Sequence, residues 1–167
     1  MDENAKKTAL RMIPYGLYVL TAEAGDGSIT VSTVNFVTQT SFKPPLIAVG
    51  IKADSAGYGV VRKAGRFALN ILGKGQQGLA FGFFKPAVRE GQKLSGEPFH
   101  KGGNGAPILD NAPAALECTV LQVVEQGDHH VVVAEVTEVA LPKPPAGRPD
   151  AAVLEMKDLG EKVFYGG

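Results

Sequence analysis

Apolar positions in this chain gather in short runs broken by Gly, Pro and Asp rather than in long helical stripes. Ala5 to Ile13 places Ala, Leu and Met at helical spacings, and Pro14 and Gly16 stop the pattern, predicting one short helix. Gly16 to Ala22 is β-rich, Glu23 to Ser28 carries a Gly-Asp-Gly hairpin signal, and a second strand begins at Ile29. Val31 to Ser41 keeps a period of two, with Val31, Thr33, Asn35, Val37, Gln39 and Ser41 on one face and Ser32, Val34, Phe36, Thr38 and Thr40 on the other. Pro44-Pro45 ends that run, and Leu46 to Ile51 is apolar enough to be buried on both faces. A polar turn, Lys52 to Gly57, precedes a short helix from Tyr58 to Ala64 that Gly65 caps, and Arg66 to Leu72 is a fifth strand. A further short helix is expected from Gln76 to about Phe84. Lys85 to Ala106 is glycine-rich and aperiodic, longer than the usual connection and therefore a candidate functional loop. Ala115 to Val124 and His130 to Val139 read as late strands turned by Gln126-Gly127-Asp128, and the prolines of Pro142 to Pro149 mark an extended surface connection.

Six or more strands with only brief helices predict a mainly β, antiparallel barrel, since a βαβ alternation would need long helices between strands. With no repeat or composition break, the 167 residues read as a single domain, long enough to bury about 70% of the unfolded surface without disulfides. The lone Cys118 suits a reducing cytoplasm, and the Met-Asp-Glu-Asn start lacks the apolar run of a signal peptide. No stretch approaches the roughly 18 apolar residues of a membrane span. Basic and acidic side chains balance at 17 each, which weighs against a nucleic-acid surface.

Gly73 to Gly78 spells GxGxxG after a strand, yet the following helix is cut short by Gly82 and Pro86 and no parallel strand with a terminal acid follows, so a glycine-rich turn is expected. Adjacent His129 and His130 face opposite sides of a strand and cannot chelate one ion, so no metal site is expected. Cys118 lies in an apolar strand with no basic neighbour and reads as a small hydrophobe. GxSxG, HExxH and P-loop signatures are all missing. The strongest chemical signal runs from Ser32 to Pro45, where both strand faces carry hydroxyls and amides that would cost on the order of 1–3 kcal/mol each if buried unpaired. Two readings stand here: a planar polar ligand such as a flavin completes their hydrogen bonds, or the run is a solvated edge strand. Lys52 to Gly57, at the start of a possible helix, has the make-up of a phosphate cradle.

Four ordered blocks, Pro14 to Thr21, Thr33 to Leu46, Gly65 to Leu72 and Gly127 to Val136, resemble the flavin reductase-like family, and nearly the whole chain is covered. The resemblance implies a six-stranded Greek-key split barrel, a homodimer with FMN at or near the subunit interface, and NADH or NADPH as hydride donor. It implies that Thr33, Val34 and Asn35, next to Ser32, and Gln39, Thr40 and Ser41 flank the isoalloxazine ring. Lys52, Ala53, Asp54 and Ser55 would approach the phosphate, and Lys85 or Arg89 would close over it. His129 takes the position near the open side of the ring, the catalytic candidate. Gly57 stands where many members carry a phosphate-binding Thr, and the Phe164-Tyr-Gly-Gly167 end lacks the family's basic residue. Tyr15 to Tyr18 and Gln39 resemble the flavoredoxin branch. The expected function is an NAD(P)H-dependent flavin reductase with a redox-protein or monooxygenase partner. The alternatives are an FMN electron carrier without direct NAD(P)H turnover and a non-enzymatic binding module.

Overall fold

A computed structural model describes residues Met1–Gly167. The elements are α1 (Glu3–Arg11), β1 (Tyr18–Glu23), β2 (Ile29–Val34), β3 (Val37–Ser41), β4 (Leu46–Lys52), α2 (Ala56–Ala64), β5 (Arg66–Ile71) and α3 (Gln77–Gly82). Four short strands follow, β6 (Arg89–Glu90), β7 (Lys93–Leu94), β8 (Glu97–Lys101) and β9 (Pro107–Leu109), then the long pair β10 (Ala114–Val124) and β11 (His129–Ala140). The Asp2 carboxylate accepts from Ala5 N at 2.7 Å, so α1 starts earlier than its apolar spacing suggests. No helix is long and apolar enough to cross a membrane.

Seven antiparallel strands form the main sheet in the order β2-β1-β5-β10-β11-β4-β3. Its two edges, β2 and β3, are consecutive in sequence and separated only by Asn35 and Phe36. The steps from Val34 to Val37 reach at most about 11 Å when fully extended, so the sheet must curl until its edges meet, which makes the split barrel. The period-two run from Val31 to Ser41 is therefore two strands with a corner between them, and the sheet has seven strands where six were expected. Periodicity continues through the corner because Val37 N–H bonds back to Asn35 O at 3.0 Å and spends only two residues on the turn. Gly50 makes room for it: a Cβ there would sit 3.1 Å from Phe36 Cβ.

Alternation divides the buried side chains into two layers. Leu20, Val49, Phe67, Leu69 and Val132 fill the barrel together with Cys118. Burial, and then the neighbouring Glu117 charge, push the Cys118 thiol up to about 12, so it serves as a small apolar group. Leu17, Val19 and Leu72 face outward under a second layer built from α3, the short strands and Leu154 and Met156 of the C-terminal segment. Because β1 is covered on both sides, its four central residues are all buried.

Residues 85–106 are not an open loop. They hold β6, β7 and β8, which with β9 just beyond form a four-stranded sheet, β6-β7-β8-β9, whose strands are too short to show a period. The turn from β7 to β8 carries positive φ at both Ser95 (49°) and Gly96 (87°), as a tight two-residue hairpin requires. Buried Asn70 ties this small sheet to the barrel: its Nδ2 donates to Val19 O at 3.0 Å and Thr21 Oγ1 at 3.2 Å, and its Oδ1 accepts from Leu109 N at 2.8 Å. Replacing Asn70 by Leu strands a buried carbonyl and a buried N–H, so Asn70→Leu is expected to lower stability by about 2–4 kcal/mol. Urea unfolding measures this as a lower midpoint at unchanged slope. A loss below about 0.5 kcal/mol would show that the tie is dispensable.

Candidate functional site

At the corner, the last residues of β2, the end of β4 and the C-terminal segment enclose a cavity of about 260 Å³. Leu17, Val34, Ile51, Phe83 and Met156 give it apolar walls, and Ser32, Thr33, Asn35, His129 and Tyr165 add polar groups. As an edge strand, β2 turns alternate backbone groups away from β1, and the end of α3 takes up part of that edge. Thr33 N donates to Phe83 O at 3.1 Å, and Thr33 Oγ1 donates to Ala80 O at 2.8 Å. Thr33 is thus satisfied by the protein. Asn35, only 3% exposed, donates from Nδ2 to Tyr165 O at 3.0 Å.

Ser32, Ser55, Phe83 and Phe84 also line a second, adjoining space of about 270 Å³, to which Thr30, Gly57 and Lys85 contribute. Here α2 begins. Ser55 is its N-cap, accepting from Tyr58 N at 3.1 Å and donating from its hydroxyl to Lys52 O at 2.7 Å. The N–H groups of Ala56 and Gly57, in the first turn, have no acceptor within the helix, and the helix dipole makes this end attractive to an anion. Gly57 brings the turn close to β2: a Cβ there would lie 2.6 Å from Thr30 Oγ1. Lys52 supplies a cation beside the cap and pairs with Asp54 at 3.3 Å.

His129 opens β11 beside the cavity, with Nδ1 2.8 Å from Asp128 Oδ1 and Nε2 2.7 Å from the Tyr165 hydroxyl. The hydrogen bond from His129, then its charge, holds the exposed Asp128 carboxyl below its ordinary pKa. His130 turns to the other side of the strand, where its Nδ1 meets the Tyr58 hydroxyl at 2.8 Å. Two adjoining spaces, one with apolar walls and a few polar groups and the other at an anion-attracting helix start, suit a flat conjugated molecule with a phosphate tail.

Residues 10–155 match the model of the flavin reductase like domain. The chain belongs to the flavin reductase-like family. It is 31% identical over 139 residues to a flavin reductase of Pseudomonas putida, covering 83% of this chain and 80% of that one. It is 36% identical to diflavin flavoprotein A 1 of Synechocystis sp. over 140 residues, 82% of this chain but only 24% of that protein. In three dimensions it superimposes on the styrene monooxygenase flavin reductase of Pseudomonas putida S12 with a TM-score of 0.70 at 28% identity, covering 82% of this chain and 87% of the other.

Of the residues expected at a flavin site, this flavin reductase-like fold brings Ser32, Thr33, Val34, Asn35, Lys52, Ser55 and His129 to one cavity, with Lys85 in the adjoining space. Ala53 and Asp54 form the turn behind Lys52, where Ala53 N donates to Asp128 O at 2.9 Å. Gln39, Thr40 and Ser41 do not line the cavity, because the corner at residues 35–36 carries them to the opposite sheet edge. There they are partly or fully exposed, and Gln39 Nε2 donates to Ser41 O at 3.1 Å. In the single chain that half of the run is an exposed sheet edge. Arg89 is also elsewhere, with Nη1 3.5 Å from Glu23 Oε2 and its guanidinium 5.4 Å from the Phe99 ring centroid. GxGxxG is a turn between β5 and a six-residue α3 in a wholly antiparallel sheet.

Tyr165, Met156 and Phe83 also line these spaces and carry no signal in the order of residues, since each arrives through a long-range fold, and Thr30 joins them from β2, two positions before Ser32. The contact at Gly57 gives a sign-reversing prediction. Gly57→Ala alone is expected to destabilise by about 1 kcal/mol as Thr30 is displaced. In a Thr30→Ala background the same change is expected to stabilise by up to about 1 kcal/mol, the usual helix preference for Ala over Gly. Thermal unfolding of the four proteins checks it; one sign in both backgrounds would disprove the contact.

Proposed function

We propose that this chain, a flavin oxidoreductase of the flavin reductase-like family, uses FMN as its flavin and NADH or NADPH as hydride donor. The observation that carries this is that Ser32, Ser55, Phe83 and Phe84 line both spaces, which sets an apolar cavity beside the start of α2. Bound in the cavity, the flavin supplies a hydride-accepting N5. Leu17, Ile51, Phe83 and Met156 would exclude water from its ring. Ser32 and Asn35 would meet its polar edge. Lys52, Lys85 and the Ala56 and Gly57 N–H groups would hold the phosphate, with Thr30 supplying the hydroxyl that position 57 lacks. His129 would orient the nicotinamide at the open side.

A homodimer belongs to this reading: β3 is an unpaired sheet edge, and Phe42 beyond it is 90% exposed. So does a monooxygenase or redox-protein partner, in keeping with the styrene monooxygenase reductase likeness. The likeness to a diflavin flavoprotein favours a second reading, an electron carrier that keeps FMN and does not turn over NAD(P)H.

Purified protein is expected to quench FMN fluorescence, oxidise NADH or NADPH in its presence, and scatter light as twice the 17.5 kDa chain. Lys52→Gln is expected to weaken FMN about tenfold, the scale of one charge-assisted hydrogen bond, while riboflavin, without phosphate, changes less than about twofold. FMN binding without nicotinamide oxidation would select the carrier, and no FMN binding would overturn both readings. A monomeric mass would remove the dimer alone.

A further inference from the structure

The C-terminal segment crosses the candidate site and is fastened there from several sides. Buried Asn35 holds the Tyr165 carbonyl, Arg11 Nε donates to Gly166 O at 3.2 Å, and the Arg11 guanidinium lies 4.3 Å from the Phe164 ring centroid. The Tyr165 ring packs against Phe36 at 5.5 Å and against the His129 imidazole at 5.7 Å, while Phe36 and His129 are 5.2 Å apart edge to face. Three rings thus brace one another beside the cavity, and Tyr165 is the one whose polar atom reaches His129.

We propose that Tyr165 is a positioning residue for His129, its hydroxyl fixing both the orientation and the tautomer of the imidazole. The chemistry of the two contacts decides the tautomer. An ionised carboxylate only accepts, so Asp128 Oδ1 at 2.8 Å accepts the hydrogen bond from Nδ1–H. A neutral imidazole then has a lone pair at Nε2, and the Tyr165 hydroxyl at 2.7 Å donates to it. Asp128 alone is a weak hold, because its side chain is 91% exposed and exposed pairs contribute little. Partial burial keeps the Tyr165 hydroxyl above its ordinary pKa, and Asp128 and Asp54 reinforce this against the opposing charge of Lys52. The hydroxyl therefore remains a donor through the neutral range. In the free protein His129 consequently carries its proton at Nδ1 and uses Nε2 to accept from Tyr165. Its part in orienting a nicotinamide rests on the reading under Proposed function, whereas its tautomer does not.

Tyr165→Phe tests the proposal, since it keeps the ring and the backbone carbonyl that Asn35 holds and removes only the hydroxyl. Long-range 1H–15N spectra of histidine-labelled, flavin-free protein at pH 8 are expected to show His129 in the Nδ1–H form, and Tyr165→Phe is expected to convert it to a mixture of tautomers. With FMN and NAD(P)H, the variant is expected to raise the nicotinamide KM about fivefold to tenfold, with kcat and FMN affinity within about twofold, the pattern of lost uniform binding. A purely structural role for Tyr165 would instead lower FMN affinity and Tm and leave the tautomer alone. The proposal is overturned if wild-type His129 is in the Nε2–H form, or if Tyr165→Phe leaves the tautomer ratio as it was. A wild-type protein that takes no flavin would sink the functional reading, and the spectrum would still decide what Tyr165 does.

Discussion

Two residues, Asn35 and Phe36, connect the first strand of the sheet to the last, and most of the architecture follows from how little chain that is. A seven-stranded sheet whose edges must meet cannot lie flat. It rolls up, and its apolar inner face becomes the barrel core. The corner itself can serve neither strand fully. Its backbone is held partly by Gly50 N donating to Phe36 O at 2.8 Å, and its Asn35 side chain is held by the C-terminal segment. A gap lined by strand-edge polar groups is left beside the corner, and the candidate site occupies it.

Which polar groups remain available there is a matter of hydrogen-bond accounting. Thr33 is consumed by α3 and Ser55 by capping α2. Left over are the Ser32 and Thr30 hydroxyls, the first-turn amides of α2 and Lys85, a donor-rich set around the start of α2, with Lys52, paired to Asp54, between it and Tyr165. The same accounting gives the C-terminal segment its place: Asn35 is too buried to depend on water, so the Tyr165 carbonyl completes its bonding and brings the phenol to His129. Fold and site share their hydrogen bonds, which is why residues far apart in sequence meet at one cavity.

The sequence showed the strands well: Arg66 to Leu72 is buried on both faces as its composition suggests, whereas Leu46 to Ile51, expected to be buried on both faces, alternates buried with half-buried residues and buries one face fully. It showed the end of α2 through Gly65, since capping chemistry is local, whereas the helix, capped by Ser55, starts two residues before the expected Tyr58. It concealed the corner, because a two-residue turn preserves the alternation on either side, and this is why Gln39 to Ser41 lie on the sheet edge opposite β2 instead of lining the cavity. It concealed β6 to β9, whose two- to five-residue strands are shorter than any period can reveal. Arg89 looked free for an anion because Glu23, its partner in space, lies 66 positions earlier in the chain. Tyr165 was invisible as a site residue for the same reason: Asn35 reaches it across 130 positions.

A crystal structure of the protein grown with FMN tests the central claim, that the gap beside the corner is the flavin site, more directly than any rate or affinity. Density for the ring against Ser32 to Asn35, with the phosphate at the first turn of α2 beside Gly57 and Lys85, is the predicted result. Density for the ring anywhere else on the protein, or a gap that stays filled by the protein's own side chains at saturating FMN, would contradict it.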